Sequence, residues 1–290
     1  MRLSYYPGCS LHSTAAEFSA STEALFQALG VELRELDDWC CCGATSGHSL
    51  NGYLSHALPL YNLVLAEAAG DDLLVPCAAC YNSLRAAHSF MTAGGEEAAD
   101  LNHQVAAALG RAYQGQVRVR HVIDVLADPG VEQLLKEHRR KDLAGFALAS
   151  YYGCLLTRPP KVASFEANPE QPQLMDRLLT LVGGRPVAWS HKNECCGASL
   201  AIPQPRLVEE LVGKIVTAAR RAGAQAIVTA CPLCQTNLDS RQPAGSEALP
   251  IFFITEILGL AVGLDATPWL KKHLVDPRPL LQQQGLQAVS

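Results

Sequence analysis

The chain has 290 residues, of which 49% are apolar and 18% are charged, as in an ordinary globular protein rather than a disordered or fibrous one. Its net charge of −5 argues against a protein that binds nucleic acid by neutralising phosphates. The N-terminus lacks the apolar core of a signal peptide, and the longest apolar runs, near 146–156 and 251–264, are too short or too interrupted to span a bilayer. We therefore expect a cytoplasmic chain with no transmembrane segment.

The predicted elements alternate between strands and helices. Strand-like runs lie, in chain order, at 2–6, 31–35, 72–75, 117–121, 146–152, 186–189, 226–229 and 251–254. A capping box of Thr14 and Glu17 precedes the first helical pattern, and a later one begins near Pro205 and ends before Gly223. Because alternating strands and helices form parallel βαβ units, we predict an α/β protein with two similar domains related by a pseudo-two-fold axis, at 1–142 and 143–290. The apolar stretch 252–264 is predicted to be a core helix rather than a membrane-docking segment.

The eleven cysteines are the unusual feature of the composition. In a cytosolic chain of this size they favour metal ligation or redox chemistry over structural disulfides. Ten of them form two copies of one pattern, a single cysteine followed by a CCG triplet and a CxxC pair. The N-terminal cysteine set is Cys9, Cys41, Cys42, Cys77 and Cys80, and the C-terminal cysteine set is Cys154, Cys195, Cys196, Cys231 and Cys234.

The spacing within the two sets indicates an internal duplication. Cys195 follows Cys41 by 154 residues, and Cys231 follows Cys77 by the same interval. Cys154 follows Cys9 by only 145 residues, so the second copy carries extra residues, visible as the proline-rich stretch 158–172. The cysteines follow predicted strands, and the carboxyl ends of parallel strands meet at one edge of a sheet. Each half is therefore expected to bring five thiols together.

Five thiols per half exceed the four ligands of a structural zinc ion and the four of a cubane [4Fe–4S] cluster. Adjacent cysteines reach two metal atoms more easily than they chelate one. The count favours an iron–sulfur cluster of unusual shape, in which one thiolate could bridge two irons. Three alternatives remain open from the residues alone, namely buried structural cysteines, a thioredoxin-like redox disulfide at CxxC, and a zinc-stabilised structural module.

The repeated pattern resembles the cysteine-rich subunit of heterodisulfide reductases, a family whose members carry two CCG domains. The residues that carry the resemblance are Cys9, Cys41-Cys42-Gly43 and Cys77-Ala78-Ala79-Cys80, repeated as Cys154, Cys195-Cys196-Gly197 and Cys231-Pro232-Leu233-Cys234. The resemblance implies two noncubane [4Fe–4S] clusters, each on the five cysteines of one set. It also implies an oxidoreductase subunit that makes or cleaves a disulfide of a small or carrier-bound substrate, with a cavity between the two clusters.

Partner subunits are expected because the chain has no ferredoxin-type cysteine run and no glycine-rich dinucleotide fingerprint. The resemblance implies a ferredoxin-like cubane iron–sulfur subunit and a flavoprotein subunit, which could also attach the chain to the inner membrane. The alternative is an electron-transfer or docking subunit of a succinate or fumarate:quinone reductase-type complex, because the CCG pattern occurs there too.

Some residues near the cysteines are weaker candidates. Cys40 lies outside the repeat because it aligns with Glu194, so we predict that it is not a ligand. Further candidates for contact with a cluster or substrate, each with a plain structural role as the alternative, are His48, Tyr81, Lys192 and Asn193.

Overall fold

A computed structural model describes residues 1–44, 47–242 and 248–286 of the chain. Within them, eight short strands form two parallel four-stranded sheets. The first sheet contains β1 (Arg2–Tyr5), β2 (Glu32–Glu35), β3 (Leu73–Val75) and β4 (Val119–His121). The second contains β5 (Ala147–Tyr151), β6 (Arg185–Pro186), β7 (Ala226–Thr229) and β8 (Ile251–Phe253).

The two sheets have the same topology, with the strand orders β2-β1-β3-β4 and β6-β5-β7-β8. The register is also equivalent, since Val75 pairs with His121 in one sheet and Thr229 pairs with Phe253 in the other. The predicted α/β fold with two similar domains is confirmed. Each sheet draws its strands from one half of the chain, while the boundary between 142 and 143 stays a prediction.

Helices surround both sheets. In the first half they are α1 (Gly8–Leu11), α2 (Ala16–Ala28), α3 (Gly47–Leu50), α4 (Gly52–Ala69), α5 (Ala78–Ala93), α6 (Glu96–Leu109), α7 (Val122–Leu126) and α8 (Pro129–His138). In the second half they are α9 (Pro160–Ala163), α10 (Leu174–Leu181), α11 (Pro205–Arg221), α12 (Pro232–Arg241), α13 (Ile254–Ala261), α14 (Thr267–Leu270) and α15 (Arg278–Gln283), with a 3₁₀ turn at Ala198–Leu200.

Two local predictions are wrong. The strand predicted at 186–189 is only Arg185–Pro186. The Val187 N–H still donates to the Leu148 carbonyl at 2.9 Å, but the next carbonyl along β5, that of Ser150, accepts the Trp189 indole N–H at 3.1 Å instead of continuing the ladder. The predicted capping box is absent, because α1 runs almost directly into α2 and the Ala15 N–H donates to the Ser10 carbonyl at 2.9 Å.

The two halves pack against each other through two pairs of helices, each pair with one helix from either half. Helix α2 of the first half packs on α13 of the second, and α10 of the second packs on α7 of the first. At the first contact the Ser21 and Thr255 hydroxyls are 2.7 Å apart, and the Phe18 and Phe253 rings stack at 4.1 Å. Every residue of 251–261 is buried, which confirms a core segment. Among the helices described, none is long and apolar enough to cross a membrane.

Candidate metal centres

The N-terminal cysteine set gathers at the carboxyl edge of the first sheet. Cys9 lies in α1 shortly after β1, and the vicinal pair Cys41 and Cys42 lies in the loop after β2. Cys77 immediately precedes α5, which follows β3, and Cys80 lies in the first turn of that helix. The Sγ atoms of Cys42 and Cys80 are 3.2 Å apart. Residues distant in sequence therefore meet where the pattern predicted.

The C-terminal cysteine set repeats this arrangement at the second sheet. The Sγ atoms of Cys196 and Cys234, the counterparts of Cys42 and Cys80, are 3.6 Å apart. Those of Cys154 and Cys195 are 3.7 Å apart. All cysteines of the described residues are free thiols rather than disulfides.

A glycine allows the backbone to approach the thiols in each half. Gly8 and Gly153 both have φ of +66°, in the left-handed region. A Cβ atom at Gly8 would lie 2.9 Å from the Sγ of Cys80, and one at Gly153 would lie 2.8 Å from the Sγ of Cys234. A side chain at either position would collide with the second cysteine of the CxxC pair, so glycine is required for the local geometry.

Hydrogen bonds hold the vicinal cysteine pairs in place. The Tyr6 hydroxyl donates to the Cys40 carbonyl at 2.8 Å, and the Tyr151 hydroxyl donates to the Glu194 carbonyl at 2.6 Å. The carbonyls of the second vicinal cysteines are also bound. The Ser83 hydroxyl donates to the Cys42 carbonyl at 2.9 Å, and the Asn237 side-chain amide donates to the Cys196 carbonyl at 3.0 Å. Both loops are thus anchored at equivalent positions.

The surroundings favour the thiolate form at several positions. Hydrogen bonds from Cys41 and Cys80 lower the pKa of Cys42 to about 4. A hydrogen bond from Cys154 lowers the pKa of Cys195 to about 6, with a further contribution from the Gly197 N–H at 3.3 Å. Because the thiolate is the form that binds metal, both sets contain a ready ligand at neutral pH.

The donor chemistry fits an iron–sulfur cluster. Each set consists of soft thiolates alone, the ligands that such clusters use. Among the described residues, no three His, Cys, Asp or Glu side chains are arranged to hold a single metal ion. A cluster distributes its thiolate ligands over several irons, so its ligands need not converge on one point.

A cavity of about 740 Å³ lies between the two halves. All five thiols of the C-terminal cysteine set line it. The opposite wall comes from the first half and includes Ala78, Ala79, Asn82 and His56. None of the thiols of the N-terminal cysteine set is among the described lining residues. The sequence predicted a cavity flanked by both cysteine sets, whereas this cavity contacts only the C-terminal set among its described lining residues. The wall facing that set is formed by small residues that are neighbours of the N-terminal cysteines in sequence.

The weaker candidates have structural partners. Lys192 pairs with Asp176 and donates to the Pro172 carbonyl, and Asn193 donates to the carbonyls of Pro169 and Glu170. Both therefore fix the loop before Cys195. Tyr81 is buried outside the described cavity lining. The side chain of His48 lies outside the described residues.

Cys40 is held apart from the repeat by Asn62. The Asn62 side chain accepts the Cys40 N–H at 2.9 Å and donates to the Cys40 carbonyl at 3.0 Å. Burial raises the pKa of the Cys40 thiol, and the hydrogen bond from Asn62 opposes this increase. That Cys40 is not a ligand stays a prediction.

Two lining residues were missed from the sequence. His56 stacks on Phe90 at 4.3 Å and its Nδ1 atom is buried without a partner among the described residues. Asn82 donates to the carbonyls of Leu155 and Arg158, both at 2.8 Å, and so joins α5 to the extra segment of the second half. The position of Asn82, two residues after Cys80, is the only sequence signal for either residue.

The cysteine-rich domain described as CCG matches this chain twice, at residues 3–85 and 148–239. The chain belongs to the CCG family. Each matched range contains one complete cysteine set, so both CCG domains of the chain retain all five cysteines.

Curated relatives match about nine-tenths of the chain. The chain is 31% identical to the 8-methylmenaquinol:fumarate reductase membrane anchor subunit of Wolinella succinogenes, over 90% of this chain and 92% of the relative. It is 30% identical to a protein of Methanosarcina acetivorans that is named as a subunit of a ferredoxin/F420H2-dependent CoB-CoM heterodisulfide reductase, over 90% of this chain and 89% of the relative. A protein of Archaeoglobus profundus, named as similar to a heterodisulfide reductase subunit, is 30% identical over 89% of each chain.

A solved structure shares the fold of this CCG pair. A hypothetical protein from Helicobacter pylori superposes with a TM-score of 0.72 at 12% identity, over 94% of this chain and about half (51%) of that chain. At this identity the likeness concerns the fold alone.

Proposed function

We propose that the chain is the iron–sulfur subunit of a heterodisulfide-reductase-like complex and acts as an oxidoreductase on sulfur groups. The observation that carries this proposal is the convergence of five thiols on one cavity of about 740 Å³ between the domains. Relatives that share about 30% identity over about 90% of the chain are named after a heterodisulfide reductase subunit, which supports it. The chain would make or cleave a disulfide bond in the cavity.

Each cysteine set would hold one noncubane [4Fe–4S] cluster. Cys9, Cys41, Cys42, Cys77 and Cys80 would serve one site, and Cys154, Cys195, Cys196, Cys231 and Cys234 the other. Five thiols exceed the four that a cubane requires, which favours the noncubane type. When bound, such a cluster supplies one-electron transfer.

The reaction balances as R–S–S–R′ + 2 e⁻ + 2 H⁺ ⇌ RSH + R′SH. The described cavity lining contains no lysine, arginine, aspartate or glutamate, so a bound substrate would meet cysteines, small apolar residues and neutral polar side chains such as those of Asn82 and Ser83. His56 lies on the opposite wall from the thiols, and burial lowers its pKa. Its imidazole is the side chain best placed to deliver or accept a proton during the reaction.

The N-terminal cysteine set would exchange electrons with partner subunits. Two of its thiols, Cys9 and Cys41, are exposed, whereas Cys42, Cys77 and Cys80 are buried. A ferredoxin-like cubane subunit and a flavoprotein subunit would supply or receive the two electrons. Any attachment to the inner membrane would come through these partners.

A second function is favoured by one observation. The Wolinella relative, at 31% identity over 90% of this chain, is named as the membrane anchor subunit of a fumarate reductase. In such a role the chain would relay electrons and dock a dehydrogenase, and no substrate would react in the cavity. Purification of the native complex separates the two functions. A flavoprotein with disulfide reductase activity supports the first, and a fumarate or succinate dehydrogenase supports the second.

Replacement of a single cysteine tests the ligand assignment. In the anaerobically purified complex, Cys196→Ala should lose about half of the roughly eight irons expected per chain and should abolish disulfide turnover. Cys40→Ser is the matched control. It also removes one thiol, next to the vicinal pair of the first half, but it should retain full iron and activity. Wild-type protein with zinc and no iron would refute the cofactor, and full iron in Cys196→Ala would refute the ligand set.

A further inference from the structure

His121 contacts the backbone of both CxxC segments. It ends β4 in the first half, and its Nε2 atom lies 2.9 Å from the Pro76 carbonyl oxygen and 3.2 Å from the Ala230 carbonyl oxygen. Pro76 immediately precedes Cys77, and Ala230 immediately precedes Cys231. One side chain therefore joins equivalent points of the two cysteine sets across the domain interface.

The hydrogen bonds define the form of the imidazole. Its Nδ1 atom accepts the Ile123 N–H at 3.3 Å at the start of α7, so the proton is on Nε2. The ring is fully buried, and this burial lowers the pKa of His121 to about 4, which keeps it neutral at physiological pH. A neutral imidazole has one N–H, and here two carbonyls share that donor.

Aromatic contacts fix the ring between the halves. Phe165, in the extra segment of the second half, stacks on His121 at 5.8 Å with an interplanar angle of 9°. Tyr81, next to Cys80, packs edge-on at 5.5 Å. The ring is thus held by residues of both halves, so neither CxxC segment can move far without disturbing its hydrogen bonds.

The second half carries a phenylalanine where the first half has this donor. The sheet register places Phe253 at the position of His121, and Phe253 stacks on Phe18 at 4.1 Å instead. The bridge is therefore supplied from the first half for both sets. We propose that His121 is a positioning residue that couples the two sites, because its shared N–H sets the spacing of the two CxxC segments.

The coupling follows from the shared donor. The N–H cannot point fully at both carbonyls, so a shift of one CxxC segment changes the hydrogen bond to the other. The proposal rests on the proposed function only where it treats the two cysteine sets as cluster sites. The backbone bridge itself can be tested without iron.

Three variants separate coupling from local packing. His121→Phe introduces the residue that the second half uses and removes the donor. His121→Gln keeps a donor and an acceptor on a flexible side chain. His88→Phe is the control, because His88 belongs to the same half but hydrogen bonds with Tyr113 at 2.7 Å and is absent from the described cavity lining.

The first measurement is amide hydrogen exchange of the full chain at segments 73–83 and 227–237. Loss of the buried donor in His121→Phe should accelerate exchange in both segments by about tenfold. His121→Gln should give a smaller increase in both, and His88→Phe none. Acceleration confined to 73–83 would overturn the proposal. If His121→Phe does not accumulate as folded protein, His121→Gln is compared with wild type instead. Faster exchange in both segments supports the proposal, and faster exchange in 73–83 alone overturns it.

The second measurement is a redox titration of the iron-loaded complex followed by EPR spectroscopy. His121→Phe should shift the potentials of both clusters, although His121 belongs to the first half, and His121→Gln should restore them partly. A shift of one cluster alone would overturn coupling. Wild-type protein without iron would refute the proposed function, and the exchange experiment would still test the bridge.

Discussion

The two halves of the molecule share a scaffold but differ in what surrounds it. Both sheets have the same strand order, and both cysteine sets are anchored by equivalent hydrogen bonds. Only the C-terminal cysteine set is found among the described residues of the cavity. Cys195 of this set is exposed like its counterpart Cys41, whereas Cys9 is exposed and its counterpart Cys154 is half-buried. The comparison shows that the grouping of the thiols stayed constant after duplication, while their access to the cavity diverged.

The extra segment of the second half explains part of this divergence. Helix α9 packs on α5, and Arg85 donates to the Val162 carbonyl at 3.0 Å. With the two hydrogen bonds of Asn82, this contact fixes the segment beside the cavity. The sequence of the first half has no corresponding insertion after Cys9 that could wall off its thiols in the same way.

The largest expected effect comes from the two glycines that face a thiol. Gly8→Ala and Gly153→Ala each place a Cβ atom within 2.9 Å of an Sγ atom and add the cost of a non-glycine residue at positive φ, about 1–2 kcal/mol. Each variant should lose most of the iron of its own half and keep that of the other. Iron analysis of the purified complex measures this.

Gly30→Ala is the matched control for the backbone cost. Gly30 has φ of +70°, but a Cβ atom there would meet nothing within 4 Å. The variant should therefore be destabilised by a similar amount, on the order of 1–2 kcal/mol for the backbone cost alone, and keep all its iron. Loss of iron in Gly30→Ala, or full iron in Gly153→Ala, would show that the thiol contact is not what requires glycine.

The repeat explains why so much of the fold could be predicted from one sequence. The constant interval between CCG and CxxC fixed the duplication, and the alternation of strands and helices indicated the parallel sheets. The interface could not be predicted, because residues such as His56 and His121 belong to no motif and acquire their partners only when the halves pack. The unequal access of the two cysteine sets could not be predicted for the same reason, since it depends on small wall residues such as Ala78.

A smaller, pH-dependent effect should distinguish the halves. In the second half, buried His273 donates to Glu256 at 3.0 Å. Burial alone would lower the pKa of His273, but attraction and hydrogen bonding by Glu256, helped by Asp239 and Glu17, raise it to about 9. The stabilisation that the His273–Glu256 ion pair gives to the folded state is therefore fully present below about pH 6.5, the ordinary pKa of histidine, and is lost as the pH rises towards 9. The contribution of this ion pair to the free energy of opening the second half should fall by on the order of 2–3 kcal/mol across that range.

The Arg120 ion pairs of the first half should not respond in this range. There Arg120 pairs with Asp124 at 2.7 Å and with Asp128 at 2.6 Å. Burial opposes the charge, but these hydrogen bonds outweigh it and raise the pKa of Arg120, so it stays protonated. Hydrogen-exchange protection factors around Glu256 and His273 should fall between about pH 6 and 9, and those around Arg120 should not. The double variant Glu256→Gln/His273→Leu should remove the dependence, and an equal fall in both halves would contradict the assignment.

The smallest expected effect concerns the side chains that bind the second vicinal cysteine of each pair. Asn237 is buried, so Asn237→Ala leaves the Cys196 carbonyl without a partner and should cost about 1–3 kcal/mol. Ser83 is only half-buried, so water can replace it at the Cys42 carbonyl, and Ser83→Ala should cost about 0.5–1 kcal/mol. Asn237→Ser, which copies the first half, should recover part of the loss. Denaturant unfolding measures the free energy of unfolding of all three variants. Equal losses in Asn237→Ala and Ser83→Ala would mean that the difference in burial between the two side chains does not affect stability.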